Sequence, residues 1–495
     1  MLFILLIISQ AAVFSQNSIQ FNKLYDDLGH WEGGFGLVQT TNGALFLVKK
    51  AGATYADNQV LLFDLDTEGE VRQLHRICED SIDLCYLSRP GIRYSHDGHL
   101  LMAMSYKHLD STHYDAQLMK LKSDGQALWT RRYGGTANED IHSFMLTPDG
   151  GYALCGFSNS FGANGFYLCK TDGEGNMQWQ RSYPAPGWPT AYSIDRTHDG
   201  GYMLVGKGGS IGGAKIIVIK TDSLGNQEWM HIPGGTGNND GQHRGKVLAD
   251  GNILVVGALG GADYAGGFMV KLNPQGQVLW QRTYPQPLTS RFTTSIIELD
   301  NGDFVVGGGR YMPSSTGSSD RHAWLCRFNP QGQMQWQRTY YTIEGRSNYF
   351  YEISPAADGG YYGYGFASAD LLTNQNAWLV KTDSEGYTCQ GVGCVSITVD
   401  VPEPGPQGQA GISCAPNPVS DHLRVYYALP AGVSGTQVRV VLRDMAGREL
   451  MSAPQLHPHS EGYAEFQVAA LPAGVYVAQV EVAGRLSAAA KVVKR

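Results

Sequence analysis

Residues 190–235 read TAYSIDRTHDGGYMLVGKGGSIGGAKIIVIKTDSLGNQEWMHIPGG. An alternating segment from Tyr192 to Thr197 runs into Asp199-Gly200-Gly201. Asp-Gly supplies the positive φ angles of a two-residue hairpin, so a strand–turn–strand unit is expected, with Tyr202 to Gly206 as its second strand. After a glycine-rich loop, Lys215 to Thr221 is a continuous apolar run, the pattern of a strand covered on both faces. A second turn, Asp222–Gly225, leads to a strand carrying Trp229. The stretch is therefore four short strands with a turn signal at each expected bend.

The same unit recurs. Trp129, Trp179, Trp229, Trp280 and Trp336 are spaced by 50, 50, 51 and 56 residues. The first turn recurs at Asn42-Gly43, Asp97-Gly98, Asp149-Gly150, Asp199-Gly200, Asp250-Gly251, Asn301-Gly302 and Asp358-Gly359, which makes seven copies. A period near 50 with four strands per copy predicts an all-β, seven-bladed β-propeller. Each tryptophan is expected to wedge between neighbouring blades. The seventh copy gives Tyr387-Thr388-Cys389 where the others give tryptophan, so its fourth strand is missing. Ile19 to Tyr25 matches Met177 to Tyr183 and precedes the first copy. The N-terminal strand 19–25 is therefore expected to complete the last blade and remove an open sheet edge, giving a propeller over residues 16–394.

Composition narrows the class of function. A net charge of -8 without a basic stripe argues against a nucleic-acid partner, and 63 glycines suit a fold built from tight turns. Met1 to Phe14 is almost wholly apolar and Val13-Phe14-Ser15 offers a cleavage site, so residues 1–15 read as a signal peptide. The apolar run is short for a membrane anchor, and no later segment is a transmembrane candidate. Eight cysteines fit an oxidising compartment. Cys78 with Cys85, and Cys389 with Cys394, are near enough to close small loops; Cys169 and Cys326 read as small buried hydrophobes.

The repeat resembles the secreted β-propeller repeat proteins of the Bacteroidetes type. Trp129, Arg131, Tyr133, Gly134 and Gly135, then Asp149-Gly150-Gly151-Tyr152, then Lys170-Thr171-Asp172 carry that resemblance. It implies a fold and says little about activity. Residues 395–411 form a Pro/Gly linker, Val401-Pro402-Glu403-Pro404-Gly405-Pro406 at its centre. Beyond it the pattern changes to a small β-sandwich at 412–495. This segment resembles the type A C-terminal sorting domain of type IX secretion cargo, through Pro416-Asn417-Pro418, Asp444 to Arg448 with Gly447, Leu471 to Tyr476 with Gly474, and a basic C-terminus. The resemblance implies the type IX secretion machinery as a partner, and a protein secreted or attached to the outer-membrane surface.

Catalytic and metal motifs are weak by comparison. Asp64 to Gly69 has the acidic spacing of a calcium loop but lacks the distal glutamate and sits at a repeat turn. No nucleophile elbow, phosphate loop or Ser/His/Asp arrangement is present, so no catalytic residue, metal or cofactor is assigned. The chain direction places both kinds of turn at one end of the ring. Connections between strands two and three, and between strand four and the next blade, fall at the other end and carry the length variation. Trp31, Trp188, Tyr264, Tyr311 and Tyr349 lie there and are the expected ligand contacts. The expected role is a non-catalytic binding or adhesion module for an extracellular glycan or protein. The alternatives are an enzyme degrading extracellular polysaccharide, with Asp140, Asp240, Asp263, Asp320 and Glu344 as the acids of that end, or a structural surface-layer component.

One test follows from the domain reading. A chain truncated after Gly408 should fold its propeller, as judged by an unchanged thermal transition of that unit, yet fail to reach the surface of its native host. Normal export of the truncated chain would contradict the assignment of residues 412–495.

Overall fold

The computed structural model describes residues 20–25, 31–51, 59–77, 91–106, 113–209, 215–233, 243–259, 266–284, 290–312, 320–341, 347–368, 375–388, 411–415, 419, 421–428, 438–444, 448–454, 461–482 and 485–494. The expected signal peptide, the disulfide candidates Cys78, Cys85, Cys389 and Cys394, and the linker up to residue 410 lie outside them. Seven four-stranded antiparallel sheets make up the propeller. In blade three the strands run Glu139–Leu146, Tyr152–Ser158, Gly165–Thr171 and Met177–Pro184, in that order from the axis outward. Strands two and three are buried on both faces, which is why their sequences are apolar without alternation, whereas the outer strand is largely exposed. Cys155, Cys169 and Cys326 are buried free thiols within these layers.

The turns are more elaborate than a two-residue hairpin. Gly200 N–H donates to the Thr197 carbonyl at 2.9 Å and Thr197 N–H to the Gly201 carbonyl at 3.0 Å, so a β-turn is followed by a glycine at φ +90. This three-residue form replaces the expected two-residue loop and still requires glycine for the left-handed position. The aspartate holds the turn. Asp149 Oδ1 accepts from Thr147 Oγ1 at 2.5 Å and Gly151 N–H at 3.2 Å, and Oδ2 accepts from Lys170 Nζ of strand three at 2.7 Å. The same clamp joins Asp97 to Lys120, Asp199 to Lys220, Asp250 to Lys271 and Asp358 to Lys381. Blade six moves the acid to Asp303, which takes Arg327, because its turn carries Asn301. Blade one has Asn42, and Arg72 links that residue's carbonyl to Asp64 instead.

Adjacent blades are clasped at their rims. Tyr133 Oη donates to the Gly175 carbonyl of the next blade at 2.7 Å; Tyr183 reaches Gly225 and Tyr284 reaches Gly332 at the same distance, and Tyr340 reaches Gly386 at 2.5 Å. Beside each clasp the tryptophan lies under the turn glycine of the following blade. A Cβ on Gly175, whose φ is +76, would stand 2.8 Å from the Trp129 ring. The tryptophans are half-buried rather than fully wedged, and arginines such as Arg131 cover their outer faces, 5.3 Å from the Trp129 ring.

The last blade borrows its outer strand. Phe21–Tyr25 pairs antiparallel with Gln375–Thr382, from Phe21 opposite Lys381 to Tyr25 opposite Ala377. Phe21 takes the place of the tryptophan, under Gly69 of blade one, and Tyr25 Oη donates to the Gly69 carbonyl at 2.8 Å. Trp378 Nε1 adds a bond to Asn22 Oδ1 at 2.5 Å. Further along the chain, Gly411–Ala415, His422–Ala428 and Glu461–Gln467 form one sheet. Val438–Asp444, Glu449–Pro454, Gly474–Val482 and Arg485–Lys494 form a second. Val425, Val440, Leu442, Phe466 and Val480 fill the core of this sandwich.

Two outcomes follow. Tyr25→Phe removes only the closing clasp and should destabilise the propeller by about 1 kcal/mol in denaturant titration, the worth of one buried hydrogen bond. An unchanged midpoint would show that the clasp contributes nothing. Acid unfolding should reflect the turn aspartates. Burial pushes the Asp149 and Asp199 carboxyls up, but the lysine and threonine hydrogen bonds outweigh it and hold both at about 2, below the ordinary 3.8. A depressed folded value means stability that is full above pH 3.8 and drains away as the pH falls toward 2. Asp149→Asn with Asp199→Asn should flatten the stability profile in that window, read by circular dichroism melts from pH 5 to 2.

Candidate functional site

The innermost strands of all seven blades surround an axial cavity of 520 Å³. In blades one, three, four and seven the strand carries a bulge, visible as register shifts at Gly34/Gly36, Ile141/Ser143, Ala191/Ser193 and Phe350/Glu352. The extra residue in each case is Phe35, His142, Tyr192 or Tyr351. A bulge re-aims side chains at the point where it occurs. Phe35 and Tyr351 stack across the junction of the first and last blades, ring centroids 4.8 Å apart.

Polar residues of these strands also stitch blade to blade around the axis. Ser193 Oγ accepts from Gly245 N–H at 2.8 Å, and Ser295 Oγ donates to the Ile353 carbonyl at 2.7 Å. Gln39 links blade one to blade seven through the Pro355 carbonyl and Ala357 N–H, each at 2.7 Å. The cavity wall carries Arg93, Arg244 and Lys246 against Asp195, Glu298 and Glu352. Arg244 Nη2 lies 3.4 Å from Glu352 Oε2, a contact that reaches from blade five to blade seven past blade six. Burial, and then the Glu352 charge, push the Tyr364 hydroxyl up, while Arg93 and Arg244 pull it down. These groups therefore share one electrostatic environment.

His142 faces the same cavity. Its Nε2 lies 3.1 Å from Asp140 Oδ2, and its ring meets Tyr192 edge-on at 5.0 Å. Asp140 also accepts from Ser105 Oγ, which itself accepts from Ile141 N–H at 2.8 Å. Burial pushes the Asp140 carboxyl up, but the His142 charge and the hydrogen bonds from His142, Ser105 and Ile141 hold it below the usual carboxylate range. The hydroxyl bonds to the carboxylate rather than to the imidazole. The arrangement is an oriented histidine without an attached nucleophile.

Trp188 stands at the loop end between blades three and four and is 65% exposed. Its loop is pinned: Gly209 N–H donates to the Pro186 carbonyl at 2.5 Å, and Asn164 Nδ2 to the Gly187 carbonyl at 3.1 Å. Phe157 backs Trp188 at 6.1 Å, and Phe161, 43% exposed, stacks on Tyr167 with planes 7° apart. Tyr349 is half-buried and packs against Tyr351 and Phe366. Trp31 and Tyr311 lie on strands Trp31–Thr40 and Phe304–Met312, and Tyr264 is outside the described residues. Of the acids of the loop end, Asp140 is paired with histidine; Asp240, Asp263 and Glu344 are outside the described residues, and Asp320 begins the strand Asp320–Phe328.

The sequence singled out neither His142 nor the Arg244–Glu352 contact. Aligning the copies on their Asp-Gly turns would have isolated them. Ser143, Ser193, Arg244, Ser295 and Glu352 fall at one repeat position, and His142, Tyr192, His243, Thr294 and Tyr351 at the one before it.

In the sandwich, Asp444 and Arg448 close a turn through Arg448 N–H to Asp444 Oδ1 at 2.9 Å and Arg448 Nε to Asp444 Oδ2 at 3.1 Å. Tyr476, two residues after Gly474, is buried and donates to the Pro472 carbonyl at 2.7 Å. Pro416, Asn417, Pro418 and Gly447 lie outside the described residues. Residues 413–495 match the family described as the secretion system C-terminal sorting domain. The chain is thus type IX cargo, exported for secretion or surface attachment. No curated protein matches the chain. Among solved structures, a puromycin hydrolase is 11% identical with a TM-score of 0.44, covering 81% of this chain and 59% of its own. This chain thus spans less than two thirds of that enzyme's length. A Dyadobacter fermentans protein of unknown function is 9% identical, TM-score 0.42, covering 74% and 98%. The polysaccharide lyase Uly1 is 11% identical, TM-score 0.34, covering 76% and 94%.

Proposed function

We propose that this exported propeller is a binding module for an extracellular glycan, engaged at the loop end of the ring. The observation that carries the reading is Trp188, an exposed indole on a pinned loop with Phe157 behind it. A large aromatic face held still in water gives up little conformational freedom when a ligand stacks on it, and sugar rings present the C–H faces that stack well. Phe161 is a second exposed ring of the same blade region, and the polar axial cavity supplies hydrogen-bonding groups that a glycan needs.

A second reading, catalysis on polysaccharide, is favoured by the oriented His142 in the cavity. An imidazole fixed by a buried carboxylate is a competent proton acceptor. The two readings separate by product formation.

The test is a glycan and protein array probed with the full-length protein, then titration of any binding glycan against Trp188→Ala. The substitution should weaken binding by about 1–3 kcal/mol and leave the melting temperature unchanged, because the side chain is already in water. Unaltered affinity would remove Trp188 from the site. Selective capture of proteins would replace the glycan reading. Chain cleavage that is lost in His142→Ala would establish the enzyme.

A further inference from the structure

We infer that the axial cavity is a binding site for the carboxylate of an acidic sugar, with Arg244 as the residue that receives it and Glu352 as its resting partner. The charged groups of the wall are unequally satisfied. The acids Asp195 and Glu298 are already occupied by fixed backbone donors. Asp195 accepts from Val247 N–H at 2.9 Å and Arg196 N–H at 2.8 Å, and both Glu298 oxygens accept from Ala249 N–H at 3.0 Å. The cations are not. Arg244, whose side chain is only 7% exposed, has five N–H donors and makes two hydrogen bonds among the described residues. One goes to the Tyr192 carbonyl, the other is the 3.4 Å contact with Glu352, and the enclosed Nε has no acceptor. Lys246 is 4.0 Å from Asp195, and Arg93 gives one bond, from Nε to the Phe144 carbonyl at 3.1 Å.

Buried charge without full hydrogen bonding is unfavourable, and a planar guanidinium is best satisfied by a bidentate carboxylate. Glu352 does not provide that geometry. Its single long contact joins blades five and seven, which are not neighbours in the ring, so an incoming carboxylate can replace it without breaking a bond between adjacent blades. The released Glu352 is already part-exposed, at 26%, and the wall then holds one more anion against Arg93, Arg244 and Lys246. The cavity volume of 520 Å³ accommodates a monosaccharide unit. The assignment rests on the glycan reading for its biological ligand, but its own test uses small probes independent of Trp188.

The test titrates glucuronate, glucose and glucose 6-sulfate into the full-length protein by calorimetry or ligand-observed NMR. Glucuronate should bind saturably and glucose at least tenfold more weakly. Glu352→Gln removes the resident carboxylate and should tighten glucuronate several-fold, whereas Arg244→Gln should abolish the preference over glucose. Glu352→Gln keeps the proposal falsifiable even if the Arg244 variant fails to fold. Equal binding of glucuronate and glucose, or weaker glucuronate binding in Glu352→Gln, overturns it, and so does a preference for the sulfate over the carboxylate. Loss of array binding in Trp188→Ala alongside unchanged glucuronate affinity would leave both readings standing. Array binding that ignores Trp188, with the glucuronate pattern intact, would sink only the assignment of Trp188 as a glycan contact.

Discussion

The structure depends on a clasp that recurs at five of the seven blade junctions, a tyrosine hydroxyl bonded to the carbonyl of a turn glycine with an aromatic ring lying under that glycine; Ile77 and Pro233 stand at the tyrosine position of the other two. The glycine is required twice over, for its positive φ and for the space that a Cβ would take from the ring. No blade owns a complete clasp, because the ring and hydroxyl come from one copy and the turn from its neighbour. A repeat of this kind has little reason to be stable alone, and its stability is a property of the interfaces.

That shared ownership explains what was legible in the sequence. Trp129, Trp179, Trp229, Trp280 and Trp336 recur because most junctions use the same ring, the Asp-Gly turns and their lysines recur because most blades use the same clamp, and recurrence is what a single sequence can display. Even the substitute Phe21 was readable, since the chemistry missing after Gly386 had to be supplied from elsewhere. The type of turn was not, because Asp-Gly is compatible with two hairpin geometries that differ by one residue. Nor was the half-burial of the tryptophans, which follows from arginines lying on their outer faces.

The axial residues were hidden for the opposite reason. Where the rim repeats, the axis varies: glycine, serine, arginine and glutamate occupy one repeat position in different blades. Variation hides a residue from pattern reading and is also what a selective site needs, since seven identical walls would offer a ligand no orientation. His142, at the bulge of its inner strand, and Arg244, at the start of the regular strand Arg244–Val247, came into view only when the fold placed them on a common space. The loop-end aromatics were partly legible. Trp188 stands in solvent, whereas Tyr349 is packed against Tyr351 and Phe366, and spacing alone does not distinguish the two.

The borrowed strand also bears on how the chain folds. Asn22 and Trp378 are 356 positions apart, so the final contact joins segments made near the start and near the end of the propeller. Closing a loop of that length carries an entropic cost of about 5 kcal/mol before any of the contact energy is regained. Until residues 375–382 are available, Phe21–Tyr25 has no partner, and a growing chain presents unpaired strand edges at both ends of an open arc. Such an arc can accept the N-terminal strand of a second copy as readily as its own. Slow, dilute emergence favours closure within one molecule, and crowding of unfinished chains favours exchange between them.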